Sequence, residues 1–235
     1  MSGSTTKSAY WRGARDGAPF IIVLIPFALL FGVVATEAGL TLAQSMGFNA
    51  LVIAGSAQFA AVSLMQEDAP LFAVLATALA VNLRMGMYSA ALVPHLGAAP
   101  LWKRAIVAYM TLDQTYTVAV LEYEKRPKMS ISEKLAFFFG VATPVVPTWY
   151  AFAFVGVLIG GAVPPAFALD FALPIAFIAM VAPSLKSLAH VASAFTSVVA
   201  ALLLVGLPWG TGLLIAAACA MAVGATVETL MERRA

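Results

Sequence analysis

Residues 70–93 read PLFAVLATALAVNLRMGMYSAALV, and the reading of this stretch decides the fold class. It is long enough to cross about 30 Å of hydrocarbon as a helix. Its one charged residue is Arg84, in the run Asn82-Leu83-Arg84. An arginine near a bilayer midplane costs roughly 2.5–3.5 kcal/mol on insertion scales. A side chain that costly faces a partner, a water-filled cavity or a ligand, so the stretch predicts a membrane span with a polar site inside it.

Composition extends that reading to the whole chain. The 235 residues are 62% hydrophobic and 10% charged, with mean hydropathy +0.95. A soluble domain carries about 25% charged residues. The chain is therefore expected to be all-α, a polytopic integral membrane helix bundle lying in the lipid bilayer. The expected organisation is a cytoplasmic N-terminal segment over residues 1–17, a transmembrane bundle over 18–228 and a cytoplasmic tail over 229–235. A net charge of +2 with dispersed basic residues speaks against a nucleic-acid partner. The single cysteine, Cys219, excludes an intrachain disulfide and a cysteine metal site. No phosphate loop, His-Glu-x-x-His or Gly-x-Ser-x-Gly pattern occurs, and no cofactor, metal or enzymatic activity is expected.

Eight apolar segments are long enough to span or nearly span the membrane: about 18–37, 40–65, 70–93, 104–122, 135–160, 167–184, 187–206 and 208–228. Seven to eight crossings are predicted, some broken or kinked by proline. The second segment is interrupted at Gly55-Ser56, and the sixth is short and holds Pro174 and Pro183. Either fits a broken or re-entrant element. Pro144 and Pro147 predict a local break in the fifth. With eight spans and a cytoplasmic N-terminus, Lys7, Arg12, Arg15, Lys125, Arg126, Lys128, Lys134, Lys186, Arg233 and Arg234 fall inside. Only Lys103 and Arg104 fall outside, so the positive-inside rule places both termini in the cytoplasm. It also favours an even number of crossings before the loop at Lys125. Ala50-Leu51-Val52-Ile53-Ala54 resembles Ala172-Leu173-Pro174-Ile175-Ala176, which suggests an internal repeat of the kind transporters contain.

Few polar side chains sit at membrane depth. Arg84 and Tyr88 are four apart and share a helix face. Asn82 joins them only if the helix is distorted. Asp113 is the one acid expected near the midplane, in the middle of the fourth segment, antiparallel to the third. At matching depth it is expected to face Arg84. Two readings of Arg84 stand: a site for a carboxylate or other anion, which a guanidinium takes in two bonds, or an ion pair that only fixes packing. Asp113 is a candidate for coupling or ion pairing. Gly55 and Ser56 permit close backbone approach, and Gln58 is expected to bond an exposed carbonyl at the helix break. Phe59 and Tyr88 are candidate apolar walls.

These residues stand in an order that resembles a known family. Arg12-Gly13 through Pro19, Pro26-Phe27, Phe31-Gly32, Gly55-Ser56-Ala57-Gln58-Phe59, and Asn82-Leu83-Arg84 through Tyr88 and Pro94 resemble the AzlC family. These are the large subunits of branched-chain amino acid exporters. The likeness is close over residues 12 to about 120 and looser through Asp170-Phe171-Ala172-Leu173-Pro174 and Ala176-Phe177. Asp113-Gln114 stands where many members carry Asp-Glu, which weakens any relay of two carboxylates.

The resemblance implies an inner-membrane exporter of branched-chain or similar hydrophobic amino acids, working with a small membrane subunit of the AzlD type. Export without ATP needs a coupled gradient or a concentration gradient. On this reading the substrate-binding residues are Arg84, Asn82, Tyr88, Gly55, Ser56, Gln58 and Phe59, with Asp113 beside them. A passive channel for a small solute and a non-transporting subunit of a membrane complex are the alternatives.

Overall fold

The structure is a computed structural model and describes residues 5–160, 185, 187–207 and 211–233. Helix is the expected answer for these apolar runs, because only a helix or closed barrel satisfies its backbone inside lipid. No strand occurs among the described residues. In chain order the helices are α1 (Thr6–Gly17), α2 (Ile21–Glu37), α3 (Leu42–Leu51), α4 (Gly55–Gln66), α5 (Leu71–Leu96), α6 (Leu101–Tyr109), α7 (Asp113–Lys125), α8 (Ile131–Gly160), α9 (Leu188–Leu203) and α10 (Thr211–Glu232). A single 3-10 turn, Ala18–Phe20, joins α1 to α2. Among the described residues, Thr6–Glu37, Leu71–Leu96, Ile131–Gly160 and Thr211–Met231 are long and apolar enough to cross a membrane. The predicted sixth segment, the second copy of the suggested repeat and the looser family likeness at residues 170–177 lie outside the described residues.

The chain divides into two compact units, Met1–Phe59 with Val81–Val163, and Ala60–Ala80 with Pro164–Ala235. In the first, α8 lies along α1 and α2 in the same direction. Gly13 meets Phe137, Gly17 meets Val141, Gly32 meets Gly156 and Thr36 meets Gly160, all at one sequence offset. Missing side chains allow the close approach. A Cβ on Gly156 would overlap the Leu29 carbonyl, and one on Gly140 the Tyr10 carbonyl. Small residues bring membrane helices together in this way. Aromatic rings fill the space beside the seam: Phe31 stacks on Trp149 at 6.2 Å and Phe27 meets Phe59 at 4.9 Å.

Two predicted spans are not single helices. The second breaks at Val52-Ile53-Ala54, directly before Gly55. Phe48 of α3 and Phe59 of α4 both touch Phe31, and Gln58 bonds Asn49, so α4 turns back beside α3. The fourth breaks at Met110-Thr111-Leu112, where an unbroken helix was expected. A cavity of about 350 Å³, lined by Leu92, Val93, Leu96, Leu101 and Arg104, lies between α5 and α6. α6 thus folds back along α5, and α7 then returns parallel to α5: Arg84 faces Asp113, Tyr88 faces Tyr116 and His95 faces Tyr123. Each segment is a helical hairpin with its bend between short helices.

A third expectation also changes. Pro144 and Pro147 lie inside a continuous α8. Thr143 and Thr148 hydroxyls donate to the Phe139 and Pro144 carbonyls, and the seam with α1 and α2 holds the helix on both sides of the prolines. At the start of this seam Arg12, Glu122 and Arg126 form an ionic cluster, with Arg126 Nε 3.0 Å and Arg12 Nε 3.5 Å from the same Glu122 oxygen. The second unit contains α9 and α10 as an antiparallel pair, closed by Ser193 Oγ donating to the Ala220 carbonyl at 2.9 Å.

Candidate functional site

The breaks in the two hairpins create the site. A helix start leaves its first N–H groups without intrahelical acceptors. At α4 these belong to Gly55, Ser56 and Ala57; the N–H of Gln58 is the first to find a carbonyl, that of Ala54, at 3.0 Å. At α7 the first residue is Asp113 itself, an acid at the positive end of its own helix dipole. Threonines hold this second break open. Thr111 Oγ1 donates to the Val107 carbonyl at 2.7 Å, and Thr115 Oγ1 accepts from the Leu112 N–H at 2.7 Å.

Arg84 joins the two starts. It sits at the middle of α5. Nη2 donates to Ser56 Oγ at 2.7 Å, and Nη1 lies 2.9 Å from Asp113 Oδ2. The Tyr88 hydroxyl donates to the other Asp113 oxygen at 2.9 Å, and the Tyr88 ring stacks on Tyr116 with centroids 4.2 Å apart. The Arg84 and Asp113 side chains are partly buried, 27% and 33% exposed. Arg84 Nε is buried and, among the described residues, has no partner.

Arg84, Ser56, Tyr88 and Asp113 therefore come together. The expected route to the pairing was different: antiparallel spans at matching depth. The helices that carry Arg84 and Asp113 run parallel, and Asp113 reaches Arg84 from a hairpin bend. The other candidates lie elsewhere. Gly55 packs against the Phe27 and Trp149 rings, where a Cβ would come within 2.7 Å of Phe27. Phe59 is fully buried among aromatic rings. Asn82 contributes no bond to the cluster, and its Oδ1 is buried without a partner among the described residues. Gln58 does not bond an open carbonyl. Its Nε2 donates to Asn49 Oδ1 at 2.9 Å, an oxygen that also accepts from Trp149 Nε1 at 2.6 Å.

Asn49, Tyr109 and Tyr150 support the site without standing out in the sequence. The Tyr109 hydroxyl donates to the Ala50 carbonyl at 2.9 Å and lies 2.6 Å from the Tyr150 hydroxyl. This caps the carbonyl end of α3, which its break would otherwise expose. Asn49 offers a signal in retrospect, being a fully buried amide a few residues before a helix break.

The cluster has an excess of positive charge. Each helix start is equivalent to about half a positive charge, and Arg84 adds one. Asp113 is the only carboxylate among the groups described around Arg84. The arrangement suits a further anionic group.

A family profile described as AzlC protein matches residues 19–163. An inner membrane protein of Escherichia coli, YgaZ, is 28% identical over 86 residues, which are 37% of this chain and 35% of that protein. The chain thus aligns with about a third of that relative's length. A membrane protein of Archaeoglobus fulgidus is 28% identical over 188 residues, 78% of this chain and 80% of that one. A membrane protein of Helicobacter pylori is 25% identical over 155 residues, 64% of this chain and 66% of that one. No solved structure matches the chain.

Proposed function

We propose, because this chain belongs to the AzlC family, that it is a gradient-driven transporter, not an enzyme, exporting branched-chain or similar hydrophobic amino acids across the inner membrane with a small AzlD-type membrane subunit. The observation that carries the reading is Arg84 between the starts of α4 and α7. Broken helices in transporters aim such positive ends at anionic substrate groups. Arg84 and the N–H of Ser56 at the start of α4 receive the substrate carboxylate. Asp113 receives the ammonium, and Tyr88 and Tyr116 lie beside both.

The test is efflux of labelled valine, leucine, isoleucine and methionine from vesicles, with and without the small subunit and across a varied pH gradient. Saturable efflux that Arg84→Ala abolishes while the protein still folds is the expected result. Efflux that never saturates indicates a passive channel. Normal efflux from a poorly folded Arg84→Ala protein makes Arg84 structural and sinks the site.

A further inference from the structure

The fork of Arg84 is already in use. Nη2 is on Ser56 and Nη1 on Asp113, and the buried Nε has no partner among the described residues. A carboxylate takes a guanidinium best through two parallel bonds. Asp113 stands on one of the nitrogens those bonds need. It is also held from behind, since its second oxygen accepts from Tyr88, whose ring rests on Tyr116. A tethered group acts at an effective concentration of about millimolar or above. A free carboxylate therefore competes poorly for Arg84, and success would leave Asp113 with only the Tyr88 hydroxyl and its own helix start to offset its charge, in a site that is about two-thirds buried.

A zwitterion meets neither obstacle. As its carboxylate replaces Asp113 on Arg84, its ammonium replaces Arg84 on Asp113. Both protein charges stay compensated, and no proton or bond is exchanged. A simple amine fails for the mirror reason, because it frees Arg84 with nothing to take it.

We propose that Asp113 is a built-in occupant of the carboxylate place on Arg84, and that displacing it restricts the site to ligands carrying a carboxylate and an ammonium together. This rests on the reading of Arg84 as the substrate site. The experiment measures binding to the purified full chain in lipid nanodiscs by calorimetry. The probes are leucine, 4-methylpentanoate (leucine without its ammonium) and isopentylamine (leucine without its carboxylate). Wild type is expected to bind leucine, and both analogues at least about tenfold more weakly. Asp113→Asn is expected to bind 4-methylpentanoate about tenfold more tightly than wild type does, and to lose its preference for leucine over the acid. Thermal melting by circular dichroism verifies the fold. Where Asp113→Asn does not fold, Tyr88→Phe loosens the hold on Asp113 and is expected to strengthen binding of the acid in the same direction. Acid affinity that stays unchanged or falls in the folded variant overturns the proposal, while loss of leucine binding in Arg84→Ala leaves the substrate site standing. Leucine binding that Arg84→Ala does not alter overturns both.

Discussion

Asn49 shows how one side chain supports a site it never touches. Its Oδ1 accepts from both Gln58 and Trp149, tying α3, α4 and α8 together directly beside the break before Gly55. All three side chains are buried, Asn49 and Gln58 completely. Replacing Asn49 by Ala would leave the Gln58 amide and the Trp149 indole N–H without acceptors. Each stranded donor costs about 1–3 kcal/mol. Asn49→Ala is therefore expected to lower stability by about 2–6 kcal/mol, seen as a clear fall in melting temperature of the solubilised protein. An unchanged melting temperature would mean that the three helices hold their positions without this amide.

At the scale of elements, the seam of α1 and α2 against α8 is held by absent side chains. Gly156 lies against the Leu29 carbonyl and Gly32, all backbone that cannot swing aside. Gly156→Val is expected to force the helices apart and cost about 1–3 kcal/mol or more, again measured by melting. In the second unit a Cβ on Gly224 would come no closer than 3.2 Å to the Ser193 side chain, so Gly224→Ala is expected to cost less than Gly156→Val. How far such elements were legible in sequence depended on the kind of signal. The helices followed from apolar length, and the break in the second segment from Gly55-Ser56. The break before Asp113 was hidden, because Met110-Thr111-Leu112 holds neither glycine nor proline. What sustains it is Thr111 and Thr115 bonding nearby backbone, a role that a hydroxyl in an apolar run does not announce. Pro144 and Pro147 misled in the other direction, since packing on α1 and α2 outweighs the bonds they remove. The cluster was legible as chemistry in Arg84 and Asp113, the charged residues expected at depth, with Tyr88 on the same face as Arg84, whereas Ser56 stood out only as a small residue permitting close approach. Phe59 and Gly55 were not separable from the core, because burial depends on which helices fold back.

For the whole molecule, the hairpins change the expected topology. Eight single crossings would put Lys103 and Arg104 outside and Lys125 to Lys134 inside. In the structure His95 faces Tyr123, and the Tyr123 hydroxyl donates to the Lys134 carbonyl, so the end of α5 meets the start of α8. Only residues 97–100 separate α6 from α5, and Arg12 joins Glu122 and Arg126 at that same end. Lys103 and Arg104 thus share an end of the first unit with Arg12, Arg126 and Lys134. Two hairpins remove two crossings, so the even count before Lys125 survives. The positive-inside rule is then obeyed by Lys103 and Arg104 as well. The distinguishing experiment uses Cys219→Ser as a cysteine-free background, with Lys103→Cys or Lys128→Cys added one at a time. Intact cells are treated with a maleimide that cannot cross the membrane. Both positions are expected to react only after permeabilisation. Reaction of Lys103→Cys in intact cells, with Lys128→Cys still protected, would restore a crossing between them and make α6 and α7 parts of one span. That outcome would also separate Asp113 from the hairpin bend through which it reaches Arg84.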